Sequence, residues 1–129
     1  MKDFFPEVPY VRYEGPDSNS RFASRFYNPD EKIEGKKMRD HLRFAMSYWH
    51  TLCAEGSDMF GRGTGDKSFG GRSVDEMFRN KAYAAFELMS KLDIDFFCFH
   101  DRDIAPEGNT LAGTNENLLR MASLIKELM

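Results

Sequence analysis

The stretch Phe96-Phe97-Cys98-Phe99-His100-Asp101-Arg102-Asp103 decides how this chain is read. Residues 96 to 99 are apolar whichever way they point. That is expected of a parallel strand covered on both faces rather than of an edge strand with one wet side. The strand is expected over Phe96 to His100, polar Asp101-Arg102-Asp103 ends it, and Pro106-Glu107-Gly108-Asn109 reads as a turn. In parallel β/α folds the working groups gather where strands end and loops converge, so position alone makes His100 and Asp103 candidates for chemistry.

Upstream, Ser73 and Glu76 have capping-box spacing, and Val74, Phe78, Ala82, Ala85, Phe86, Met89 and Leu92 recur at three and four. A helix over residues 73 to 91 follows. Before it, Phe44-Ala45-Met46-Ser47-Tyr48-Trp49-His50 has the length and aromatic content of a strand. After the turn at 106–109, a last helix starts near Thr110, with Leu111, Leu118, Met121, Ala122, Ile125 and Leu128 on one side. Strand, helix, strand, helix is a βαβα unit whose strands pair in parallel through a right-handed crossover. Two strands alone leave hydrogen-bonding edges open, so the pattern reads as the opening portion of a larger barrel or doubly wound sheet.

Residues 1 to 35 hold Pro6, Pro9, Pro16 and Pro29, with Tyr10, Tyr13, Phe22, Phe26 and Tyr27 between them. Prolines at that density exclude regular helix, and the aromatics need a surface to lie on. The segment is expected to be an extended arm on a larger body, with a short helix over Lys36 to Leu42 after it. Six of the ten glycines crowd into Gly56 to Gly71, the signature of a long irregular loop. Within it, Gly61-Arg62-Gly63-Thr64-Gly65-Asp66-Lys67-Ser68 only superficially matches a phosphate-binding loop. Asp66 stands where glycine is required and would repel phosphate.

Composition narrows the functional classes. The 129 residues carry 18 Lys and Arg against 21 Asp and Glu, with no basic block, which speaks against nucleic acid as a partner. No apolar run reaches membrane-spanning length, and the first residues lack a secretory h-region, so no membrane association and a cytoplasmic location are expected. Cys53 and Cys98 lack CxxC spacing, and a disulfide framework is not expected.

A histidine at a strand end moves protons near neutral pH, and a carboxylate accepting from one ring nitrogen fixes its tautomer. His100 would be the acid/base and Asp103 its orienter. Two alternatives stand beside that reading. The His-Asp-Arg-Asp run is also the composition of a charged loop whose members neutralise one another. A metal site built on His100, Asp101 and Asp103 would need carboxylates from elsewhere. Trp49 suits either a core position or stacking on a ligand. Phe60, amid glycines, is either simply exposed or inserted into a neighbouring subunit.

Several ordered blocks resemble the longer-chain class of xylose isomerases: Val11-Arg12-Tyr13-Glu14-Gly15-Pro16, Tyr27-Asn28-Pro29-Asp30-Glu31, His41-Leu42-Arg43-Phe44, Tyr48-Trp49-His50-Thr51, Asp58-Met59-Phe60-Gly61 and the run Phe97 to Gly108. The resemblance covers nearly all of the chain. It implies an α/β fold in which residues 1–129 are the N-terminal part of a TIM (β/α)8 barrel, an arm over 1–35 and the first two β/α units over 36–129. It also implies an aldose–ketose isomerase that converts D-xylose to D-xylulose, and D-glucose to D-fructose, by a metal-assisted hydride shift in a homotetramer.

By the same resemblance His100 assists sugar ring opening, Asp103 holds its imidazole, Trp49 walls the sugar pocket and Phe60 reaches into the adjacent subunit's site. Two divalent cations (Mg, Mn or Co) belong to the full-length enzyme. Their ligands come from later strands, so this chain is expected to supply none and to be inactive by itself. A non-catalytic fragment or an associating β/α module is the alternative, and a metal-dependent hydrolase built on His100 and Asp103 a more distant one. Locally, Gly65 to Gly71 lacks the family's Arg-Pro-Trp. Gly113 enters a helix turn usually built from charged residues, where glycine costs about 1 kcal/mol against alanine in a helix interior.

Overall fold

The computed structural model describes residues 3–54, 59 and 68–129. The loop motif 61–68 and Phe60 therefore lie outside the described residues, apart from Ser68. The chain is α/β, and its centre is one parallel pair: β3 (Ala45–Ser47) beside β4 (Phe96–Cys98), in the register Ala45↔Phe96, Met46↔Phe97 and Ser47↔Cys98.

Between them runs α3 (Val74–Leu92). Ser73 caps it, its Oγ accepting from the Glu76 N–H at 3.1 Å, while the Glu76 carboxylate reaches one residue further back, to the Arg72 N–H at 2.8 Å. The helix stops where Asp93 turns left-handed (φ 56°), a conformation a short polar side chain tolerates. Ala82, Ala85 and Met89 are buried as the periodicity requires, whereas Val74 and Leu92 at the two ends are exposed.

After β4 a single helical turn, α4 (Asp101–Ile104), leads through the 106–109 connection into α5 (Leu111–Leu128). Met121 and Ile125 of α5 close on Met46, Tyr48 and Leu52 from the first strand region, on Ala82, Ala85 and Met89 of α3, and on Ile104 and Ala105. Leu111 and Ala122, expected on the buried side of α5, are exposed. Gly113 lies in the first turn of α5, not its interior. Thr110 Oγ1 accepts its N–H at 3.1 Å and caps that turn.

Three local expectations change. The first strand ends at Ser47, and Tyr48–Thr51 forms a helical turn, α2; a short aromatic run fits either state, and here the chain turns as soon as the sheet pairing stops. Only Met38–His41 of the expected 36–42 helix is helical (α1), because Lys36–Lys37 (β2) pairs back onto Lys32–Ile33 (β1) around Glu34 and Gly35, both at positive φ. Finally, β4 is not covered on both faces. Phe97 packs edge-on against Phe86 of α3, with centroids 5.5 Å apart, while Phe96 and Phe99 stay exposed. A two-stranded sheet with its helices on one side leaves the other side open.

Residues 3–30 form no named helix or strand beyond an isolated bridge between Tyr13 and Ser24, and residues 4 to 11 are tied to α3. Glu87 accepts from the N–H groups of Phe4 and Phe5 at 2.8 and 3.0 Å, Lys91 Nζ donates to the Phe5 carbonyl at 2.5 Å, and the Val11 N–H bonds the Lys91 carbonyl. Tyr27 packs edge-on against Phe44, but Phe26 and Tyr10 remain exposed.

Candidate functional site

The parallel register places the site. Ser47 and Cys98 are paired, and two residues beyond each come Trp49 and His100. Both leave their strands at the same end. The rings meet with centroids 4.6 Å apart and planes tilted by 46°. The ring of His50, the next residue, lies 5.5 Å from the indole.

His100 is the N-cap residue of α4. Asp103 sits three residues on, where one helical turn brings its carboxylate back over the cap. Oδ2 accepts from the His100 backbone N–H at 2.7 Å and lies 3.1 Å from His100 Nδ1. An ionised carboxylate only accepts, so opposite ionised Asp103 the geometry calls for the proton on Nδ1, with Nε2 left to exchange one with a ligand. The environments differ: the His100 side chain is 66% exposed, the Asp103 side chain 12%. A fixed, sheltered carboxylate behind an open imidazole is suited to proton transfer at a bound molecule.

Behind Asp103 the packing turns polar in a way that sequence reasoning missed. Lys81 is buried on α3, and its Nζ lies 3.1 Å from the Asp103 carbonyl oxygen and 3.5 Å from Cys53 Sγ. Tyr48, like Met121, is fully buried. Loss of water, then the nearby Cys53 and Asp103 groups, push its hydroxyl upward from the ordinary phenol range. A signal for Lys81 existed: it stands on the apolar ladder Phe78, Lys81, Ala85 and Met89, where a lysine is out of place.

Asp101 and Arg102 point elsewhere. Arg102 pairs with Glu107 at 2.8 Å, and Asp101 caps the Arg102 N–H. The ligand set considered from sequence is therefore not assembled. Among the described residues no group of three or more His, Cys, Asp or Glu side chains is gathered to hold a metal ion. Cys53 and Cys98 are not joined in a disulfide. Among the described residues no helix is long and apolar enough to cross a membrane.

A strand–helix–strand–helix chain with a His–carboxylate pair at the C-terminal end of its parallel strands defines an α/β segment equipped for acid–base work. Comparison with known proteins makes the class specific. No family model matches the chain. It is nevertheless 52% identical over 130 positions to a xylose isomerase of Caldicellulosiruptor bescii, 51% over 129 to one of Thermoanaerobacter pseudethanolicus and 48% over 126 to one of Geobacillus thermodenitrificans. Each match covers 98% of this chain. The chain is a relative of the xylose isomerases and spans about 29% of their length.

Proposed function

We propose that this chain is the N-terminal portion of a xylose isomerase and carries the groups that open the sugar ring. The observation that supports this best is the sheltered Asp103 carboxylate holding Nδ1 of an open His100 beside the Trp49 indole. In this reading β3 and β4 are the first two strands of a (β/α)8 barrel, residues 1–35 are its arm, and Trp49 forms a wall against the apolar face of the pyranose. His100 Nε2 transfers a proton between the ring oxygen and the anomeric hydroxyl. This yields open-chain aldose at a site from which the Trp49 ring excludes water on one side.

Conversion of that aldose to ketose, D-xylose to D-xylulose or D-glucose to D-fructose, belongs to the complete enzyme. There two divalent cations (Mg, Mn or Co) supply Lewis-acid polarisation of the substrate oxygens. The described residues do not gather a ligand set for them, so other parts of the enzyme would hold both. The complete enzyme is proposed as a cytoplasmic homotetramer in which Phe60 enters the neighbouring subunit's pocket. The exposed Phe96 ring, on the face of β4 opposite Phe97, is consistent with further parts of a barrel packing there. It also supports the second reading, an isolated β/α module that associates with itself through that face.

The deciding experiment expresses the complete polypeptide and assays D-xylose isomerisation beside a His100→Asn variant. Activity that falls by about 10²-fold or more in the variant, the usual worth of a positioned acid/base, is expected. An active enzyme indifferent to this substitution would remove His100 from the mechanism. A complete polypeptide inactive with any divalent cation would remove the isomerase reading.

A further inference from the structure

Lysine on the buried stripe of a helix is rare without a partner, because an ammonium loses its water there. Lys81 occupies that position. Its ammonium stands over the Phe78 ring, Nζ 4.3 Å from the centroid, and points inward to the Asp103 carbonyl at 3.1 Å rather than out to solvent. That carbonyl belongs to the end of α4, a helix of only one turn. Carbonyls in a last turn have no acceptor role within their own helix, and a cation placed there both satisfies them and meets the negative end of the peptide dipoles.

Asp103 is thereby held from two sides. In front, its carboxylate takes the His100 backbone N–H at 2.7 Å and faces Nδ1 at 3.1 Å. Behind, its carbonyl is fixed to α3, the longest helix in the chain, through Lys81. A one-turn helix has little rigidity of its own, since nucleating a turn costs more than its few hydrogen bonds return. The angle at which Asp103 meets the imidazole is therefore set largely from outside the turn.

We infer that Lys81 is a positioning residue for His100: through the Asp103 carbonyl it locks the one-turn helix so that the carboxylate keeps the imidazole proton on Nδ1. Lys81 touches neither His100 nor the space a sugar would take. The consequence for ring opening rests on the isomerase reading, but the positioning itself does not, and it is measured without sugar.

The test is 15N NMR of the imidazole of His100 in the 129-residue chain, comparing wild type with Lys81→Met, which keeps the stem, and Lys81→Arg, which keeps a donor. In the wild type the neutral ring is expected to be mainly Nδ1–H. In the Met variant the ratio of Nδ1–H to Nε2–H is expected to fall by about three- to tenfold, the factor that the net worth of one hydrogen bond implies. The Arg variant is expected to restore it. A purely space-filling lysine would lower the melting temperature and leave the tautomer ratio alone.

A folded Met variant with the wild-type ratio, or an Arg variant that fails to restore it, overturns the inference. If the Met variant does not fold, the wild-type chain decides. A scalar coupling across the hydrogen bond between Lys81 15Nζ and the Asp103 carbonyl carbon is expected, and its absence overturns the inference equally. Failure of the isomerase reading would appear separately, as no ketose formed by the complete enzyme.

Discussion

The indole of Trp49 lies against the imidazole of His100, ring centroids 4.6 Å apart. Neither residue is near the other in sequence. They meet because Ala45–Ser47 and Phe96–Cys98 pair in parallel, which carries both chains out of the sheet at one end with the same stagger. A slip of that register by one residue would turn one ring away from the other.

Replacing Trp49 with alanine should free the imidazole on that side while leaving its bond to Asp103. Aromatic pairs of this kind contribute about 0.5–1.5 kcal/mol beyond burial. The chain should stay folded, His100 should show faster ring motion in 15N relaxation, and, on the proposed isomerase reading, the complete polypeptide should lose about three- to tenfold in kcat/KM for xylose. Unchanged ring relaxation would show that the contact does not restrain His100.

Asp103→Asn keeps the size and a carbonyl that can still accept the His100 N–H, but it removes the ionised acceptor at Nδ1. The cap should weaken by about 1 kcal/mol, seen as a small drop in melting temperature. The larger expected effect is on chemistry: about 10²-fold in kcat of the complete enzyme, because the tautomer is no longer enforced. A loss confined to stability would make Asp103 structural.

The contact between the first residues and α3 should be acid-sensitive. Burial works to raise the Glu87 pKa, but the N–H of Phe4, the side chains of Asp3 and Lys91 and the N–H of Phe5 together outweigh it and bring it down to about 2 from an ordinary 4.5. A carboxylate depressed in the folded state stabilises fully above its unfolded pKa and loses that contribution as pH falls through the folded one. Docking of residues 3 to 11 should therefore weaken between pH 4.5 and about 2. Glu87→Gln should cost about 1–3 kcal/mol at pH 7, where the charged acceptor is lost, and should flatten the acid limb of a pH-melting profile.

The two glycines flanking the 106–114 turn should respond oppositely to alanine. At Gly108 an added Cβ would stand 2.6 Å from the Gly113 carbonyl carbon and 2.7 Å from the Thr114 nitrogen, both backbone atoms that cannot step aside. Gly108→Ala should destabilise by about 1–3 kcal/mol. At Gly113 the nearest atom is Thr110 Oγ1 at 3.4 Å, an ordinary contact, so Gly113→Ala should be neutral or stabilising by up to about 1 kcal/mol. Thermal melts of the two variants compare them directly.

The sequence by itself determined the long helix, expected over 73 to 91 and observed as Val74–Leu92, because a capped apolar stripe leaves no competing state. It also determined that a strand begins at Phe96, read from the apolar run to His100 and observed as Phe96–Cys98. The blocks that resemble xylose isomerases, from Tyr48-Trp49-His50 to the His-Asp-Arg-Asp run, were likewise legible as sequence, and the 46–52% identity to such enzymes agrees with them.

Only the tertiary structure decided that Trp49 faces His100, since register is a relation between strands and no local pattern encodes it. It alone ended the first strand at Ser47, because aromatic residues at 48–50 suit strand and helix alike until sheet pairing runs out. It also turned Lys81 from a misplaced charge on an apolar stripe into the group that holds Asp103 from behind. A lysine's partner lies wherever its long stem reaches in space, and here that is a carbonyl two elements further along the chain.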